Sequence, residues 1–133
     1  MPLIFCELHR AESADALNEE WLVLENTGPN VVNAHGCALT VAKRANDRAR
    51  PLGTLDPGFI LKPNEKIRLV TGTPSKKSQG TPPEDKELRN YHLFLKERVL
   101  SGPGIVVRLS VKQQELAKAV YAPKSKTGIE EEE

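Results

Sequence analysis

Four cations stand within the eight residues KRANDRAR: Lys43, Arg44, Arg48 and Arg50, opposed only by Asp47. Clustered guanidinium and ammonium groups suit the phosphates of a nucleic acid. Each phosphate contact would add both affinity and salt dependence. Lys76 and Lys77 extend the patch if their loop meets this one; the alternative is that these side chains are a solvated loop. Three Phe, two Tyr and one Trp in the whole chain give too little aromatic surface for a platform on which single-stranded bases could stack.

Other reactive residue types lack the spacing that chemistry needs. His9, His35 and His92 form no HxH, HExxH or His–Cys arrangement, so a metal site would have to assemble from distant positions. Cys6 and Cys37 lack the CxxC spacing of zinc and redox sites. Both lie in apolar, strand-like surroundings, where cysteine behaves as a small buried hydrophobe. A disulfide between them is allowed by number alone. No GxSxG, P-loop or dinucleotide fingerprint occurs, and SGPG and TGTP lack the strand–glycine–helix context that cradles phosphate. Glu19, Glu20 and Glu25 flank a strand and read as solvated or edge-blunting charge. The expectation is a protein that is not an enzyme and carries no cofactor or metal.

A chain of 133 residues, 38% hydrophobic and 28% charged, is the size of one domain with a single core. Its formal net charge is +1, and leaving out Glu130–Glu133 takes the remainder from +1 to +5. A mildly basic body therefore carries an acidic tip, and adjacent glutamates repel into a solvated tail. The N-terminal MPLIFCELHRAES is broken by Glu7 and lacks the pattern of a signal peptide, and no stretch approaches the ~18 apolar residues of a membrane span. A cytoplasmic location is expected.

The elements that must position these residues are strands. LIFCELH (Leu3 to His9) and WLVLEN (Trp21 to Asn26) are apolar runs, the second stopped by the TGPN turn; VVN is a brief extended segment. In CALTVAK, Cys37, Leu39 and Val41 share one face, and Ala38, Thr40 and Ala42 the other. In IVVRLSVK, Ile105, Val107, Leu109 and Val111 oppose Val106, Arg108, Ser110 and Lys112. LDPGFILKPNEKIRLVTG places two β segments around Lys62-Pro63-Asn64, and QQE with LAKAVYA closes a C-terminal hairpin. Gly72 to Lys86, rich in Pro, Ser and Lys, reads as a long exposed loop. PEDKELRNYHLFLKERVL fits both helical and strand periods, and the reading adopted is a short helical turn leading into a strand. The expected fold is all-β: a two-sheet, immunoglobulin-like sandwich of about seven to nine short strands over residues 1–123, followed by a polar, acidic, disordered tail over 124–133. The expected core includes Trp21, Val23, Leu39, Val41, Ile67, Leu69, Val107 and Leu109.

Four of these pieces, in order, resemble the lamin tail domain family. NEEWLVLENTG is similar to its opening signature, VVNAHGCALTV to its next segment, LDPGFILKPNEKIRLVTG to its strand–turn–strand, and HLFLKERVLSGPGIVVRLSVKQQELAKAVYA to its closing meander and hairpin. The resemblance spans roughly Leu3 to Ala122. Departures are Cys37 where the family often has tryptophan, the turn Ser101-Gly102-Pro103-Gly104, and the longer loop at Gly72 to Lys86. The resemblance implies an immunoglobulin-like fold and an interaction or scaffolding module that binds protein and sometimes DNA or chromatin. A protein partner bound through strand edges or loops is thus the first expectation. Double-stranded DNA on the basic loop is the second, and a homo-oligomer formed through strand edges is also open.

Overall fold

The computed structural model describes residues 3–11, 13, 15–44, 48–55, 59–73, 77–80, 88–95, 98–100, 102–112 and 114–130. Among them are ten strands: β1 (Leu3–His9), β2 (Trp21–Asn26), β3 (Val32–Asn33), β4 (Ala38–Ala42), β5 (Arg50–Thr54), β6 (Ile60–Leu61), β7 (Lys66–Val70), β8 (Arg89–His92), β9 (Val106–Val111) and β10 (Gln114–Val120). Helical structure is limited to 3₁₀ turns at Leu17–Glu19 and Lys77–Gln79. The first sheet runs β1-β2-β7-β8, the second β10-β9-β4-β5, and β3 and β6 form a short ribbon. This is the all-β, two-sheet sandwich expected, with eight strands in its main sheets. None of the described helices is long and apolar enough to cross a membrane.

Period-2 alternation builds the core. Leu22 and Leu24 of β2 and Ile67 and Leu69 of β7 join Leu39 and Val41 of β4 and Val107 and Leu109 of β9 in one buried cluster. Fully burying each such side chain contributes about 1.5–3 kcal/mol. Trp21 differs from expectation. It is half-buried, because it is out of phase with Leu22 and Leu24 and points to the outer face. Val23 shares that phase; it is buried, but outside the central cluster.

On the outer face His9 stacks flat on Trp21, with ring centroids 3.9 Å apart and 4° between planes. Arg68, only 4% exposed, lies over the same indole at 5.2 Å and donates to Asn90 Oδ1 at 2.9 Å. The indole N–H points to Glu7 Oε2 at 3.4 Å. Tryptophan here is apolar cover for a sheet face, its polar end directed to a carboxylate.

The ambiguous segment resolves into β8, which pairs in parallel with β7, Ile67 opposite Arg89 and Val70 opposite His92. Parallel neighbours need a long crossover, which residues 71–88 supply. The helical turn expected ahead of it falls on residues 84–87, outside the described residues, as does most of the long loop. Lys62-Pro63-Asn64 does turn the chain, with Asn64 at φ 66°. The strands it joins are not hairpin partners, since β6 pairs with β3 and β7 with β2.

The fold does not end at residue 123. Ile129 bridges Tyr121, Ala122 N–H donates to Gly128 O at 2.8 Å, and Ile129 packs against the core. Residues 124–130 thus form part of the domain, and the rest of the expected tail, residues 131–133, lies outside the described residues. The physical reason is Ile129, an apolar anchor in a stretch whose composition is otherwise polar.

Candidate interaction surface at an open seam

A two-sheet sandwich has two seams where sheet edges face each other, and this one treats them differently. At the β1–β10 seam the chain turns back after Pro123. Leu8 of β1 donates its N–H to Thr127 O at 2.8 Å, while Glu130 N–H donates to Val120 O at 2.8 Å. One return segment therefore holds both edges. It passes so close that a Cβ on Gly128, at φ +77°, would collide with the Leu8 carbonyl oxygen. Only glycine fits there.

At the β5–β8 seam no backbone hydrogen bond joins the two edges among the described residues. A cleft of about 170 Å³ lies between Leu39, Leu52, Gly53, Thr54 and Leu55 on one side and Tyr91, His92, Leu93 and Phe94 at and just after the end of β8 on the other, so polar and apolar groups share its walls. Tyr91 meets Phe59 edge-on at 5.0 Å, which fixes one wall. After β8 the backbone stays bonded to the first sheet, Leu93 N–H to Val70 O at 2.8 Å and Leu95 N–H to Thr71 O at 2.9 Å. Leu93 and Leu95 pack toward the core. Phe94 between them adopts φ 56° and leaves 63% of its surface exposed. A bulky L-residue in the left-handed region is rare, and here it coincides with a large aromatic ring presented to solvent.

The connection between β4 and β5 carries the expected cations. Lys43 and Arg44 follow β4, Arg48 precedes β5 and Arg50 opens it, all four exposed. Among the described residues, none of Lys43, Arg44 and Arg48 forms an ion pair. β5 runs from Arg50 directly into the cleft wall, so the basic connection and one wall of the cleft are consecutive parts of one hairpin. Pro51, which has no N–H, and the extra residue Leu52, which breaks the β4–β5 register, both blunt this edge against an added strand. Lys76 lies outside the described residues. Lys77 belongs to a 3₁₀ turn beside Leu17–Glu19, where Asn18 Nδ2 donates to Thr73 O and Gly80 O at 2.9 and 3.1 Å; its side chain is outside the described residues.

Glu20 overturns its reading as solvated charge. It is fully buried. Its carboxylate accepts the N–H groups of Val99 and Leu100 at 2.7 and 3.1 Å and the Thr71 hydroxyl at 2.8 Å. Burial pushes its carboxyl above the usual range, and the donors from Val99, Thr71 and Leu100 pull it part of the way back. The result is a polar clamp that fixes residues 99–100 against the end of β7, near the turn into Leu93–Leu95. No sequence pattern announced it, because its partners lie 51, 79 and 80 residues away. Glu19 is exposed and Glu25 half-buried.

Neither cysteine is paired; Cys37 is buried and Cys6 half-buried, and burial pushes both thiols up, the opposite of activation. Among the described residues no three His, Cys, Asp or Glu side chains converge to hold a metal ion. His35 sits exposed in its turn, and His92 points Nδ1 at Gly72 O, 3.2 Å away. The arrangement offers a small cleft of mixed polar and apolar walls with the exposed Phe94 ring beside it. The sequence matches no protein-family model, and no curated protein is detectably similar to it.

Proposed function

We propose that this chain is a non-enzymatic interaction module, an immunoglobulin-like domain of the lamin tail type, that docks another protein at the β5–β8 seam. The observation that carries the reading is Phe94: a large ring, mostly exposed, held in an unfavourable backbone conformation beside a small cleft. Strain of this kind costs on the order of 1–3 kcal/mol and collects where it serves a role. Interfaces in turn draw their energy from a few aromatic and arginine anchors. The resemblance of four ordered segments to lamin tail domains, which bind proteins, supports the same reading.

The test is site-specific photocrosslinking in native extract. A photoreactive phenylalanine analogue at position 94 should yield a discrete adduct with another protein, whereas the same group at Lys118, on the outer side of β10, should not. Identical adducts from both positions, or none from position 94, would remove the reading.

A second reading rests on the four exposed cations: double-stranded DNA bound at residues 43–50. It requires an affinity that falls by orders of magnitude between ~50 and ~200 mM salt and collapses when Arg44, Arg48 and Arg50 become Glu. Anisotropy of a labelled duplex decides it, and binding that ignores salt would end it.

A further inference from the structure

The β1–β10 seam holds a cleft of its own, between the end of β1 and the return segment. Its volume is about 200 Å³, and most of its lining is polar. Glu7, His9 and Arg10 line it from one side, and Ser125, Lys126 and Thr127 from the other. That volume is below the ~300–1,000 Å³ of drug-sized ligands, so a fitting occupant is small.

The donors in its walls indicate an anion. Arg10 is half-buried and Lys126 exposed, and Lys126 forms no ion pair among the described residues. The Ser125 and Thr127 hydroxyls lie 3.4 Å apart, close enough for both to donate to one oxyanion. His9 is held in place by its stack on Trp21 and by Nδ1–H donation to Glu19 O at 3.0 Å. The one carboxylate, Glu7, faces the Trp21 indole N–H at 3.4 Å. Two cations and two hydroxyls match the several oxygens of a phosphate better than the two of a carboxylate. We propose that this cleft binds a phosphate-class oxyanion, held by Arg10 and Lys126 with the Ser125 and Thr127 hydroxyls donating. Inorganic phosphate and a phosphorylated side chain present the same oxygens. The ligand touches both the end of β1 and the return segment, which Leu8 N–H and Thr127 O already join, so its binding reinforces the closed seam.

Trp21 is the only tryptophan in the chain and stacks on His9, so its emission reports on the cleft. Sodium phosphate titrated into the full chain, with sodium chloride holding ionic strength constant, should change that emission saturably. It should also slow hydrogen exchange at the Leu8 amide. Lys126→Glu should weaken phosphate binding at least about tenfold, as loss of a charge-assisted hydrogen bond does. Lys118→Glu, equally a charge reversal but outside the cleft, should leave it unchanged. The pair Ser125→Ala and Thr127→Val keeps both cations and should weaken binding about tenfold through two lost hydrogen bonds. Unchanged urea midpoints without phosphate serve as the fold check.

An emission change that does not saturate, or that acetate reproduces at the same concentration, would overturn the proposal. Equal weakening by Lys126→Glu and Lys118→Glu would also overturn it, since general surface charge then accounts for the binding. The peptide GGSGG and its phosphoserine form separate the two sources. A phosphopeptide that binds at least about tenfold tighter than inorganic phosphate, with no binding of the plain peptide, supports a phosphorylated partner segment. Equal or weaker binding of the phosphopeptide supports the free anion. The cleft lies at the other seam from Phe94, so its failure leaves the docking reading untouched.

Discussion

Two glycines make an internal control for the closed seam. Gly36 and Gly128 share a left-handed backbone, φ +81° and +77°, but a Cβ on Gly36 would meet nothing within 4 Å whereas one on Gly128 would collide with the Leu8 carbonyl. Gly36→Ala therefore reports the backbone term alone. The left-handed region costs an L-residue about 1–2 kcal/mol, offset in part by the ~0.4–1 kcal/mol that alanine gains through a less flexible unfolded chain. The expected loss is about 1 kcal/mol. Gly128→Ala carries the same term and also forces the return segment off β1. That puts at risk the Leu8 N–Thr127 O, Ala122 N–Gly128 O and Glu130 N–Val120 O bonds, each contributing about 0.5–1.5 kcal/mol. Losing two of them brings the total to about 2–4 kcal/mol. Urea unfolding of both variants measures the difference, and hydrogen exchange at the Leu8 amide should accelerate only in Gly128→Ala. If the two substitutions cost the same, the return segment is not what fastens the sheets, and the contrast between seams loses its energetic basis.

Glu20→Ala should cost more than about 3 kcal/mol, because it strands the buried N–H groups of Val99 and Leu100 and the Thr71 hydroxyl. Burial holds the Glu20 carboxyl above its unfolded value, so its stabilising contribution is complete below about pH 4.3 and is lost as pH rises through the folded value. Wild type should therefore lose stability relative to Glu20→Gln across that window in urea titrations, and parallel profiles would refute the assignment. Asn26 is fully buried and donates Nδ2 to Asn30 O and Leu61 O at 2.8 and 3.0 Å while Oδ1 accepts from Gly28 N. Asn26→Asp should then lose about 2–3 kcal/mol at neutral pH, since a carboxylate would face two carbonyls; a neutral result would show that the turn rearranges. Both thiols should react slowly with a disulfide reagent in the native state and rapidly in denaturant, with fast native labelling of Cys37 as the contrary outcome.

What could be read ahead of the structure was whatever is local. Cys37, Leu39 and Val41, and Ile105, Val107 and Leu109, declare their buried face by alternation, and all six are in the core. The β9–β10 hairpin follows from a turn between two such runs. Trp21 was misplaced because residue type suggested a core position that strand phase denies. Glu20, the parallel β7–β8 pairing and the return of residues 124–130 depend on partners far along the chain, and local pattern carries no signal for them. The seam belongs to the same class. Nothing local in RPLGT or NYHLF sets Leu52 and Leu55 across a cleft from Tyr91 and Phe94, which only the packing of the two sheets brings together.

The return segment also sets a schedule. It fastens Leu8 of β1 to Thr127, more than a hundred residues later in the chain. At the ~5–20 residues per second of protein synthesis, β1 emerges roughly ten seconds before its edge can be covered. During that interval an apolar strand that already exposes Ile4 in the finished fold is open to any other unpaired edge nearby. Slower translation would lengthen the interval, and a nascent chain stalled before residue 127 would keep that edge uncovered.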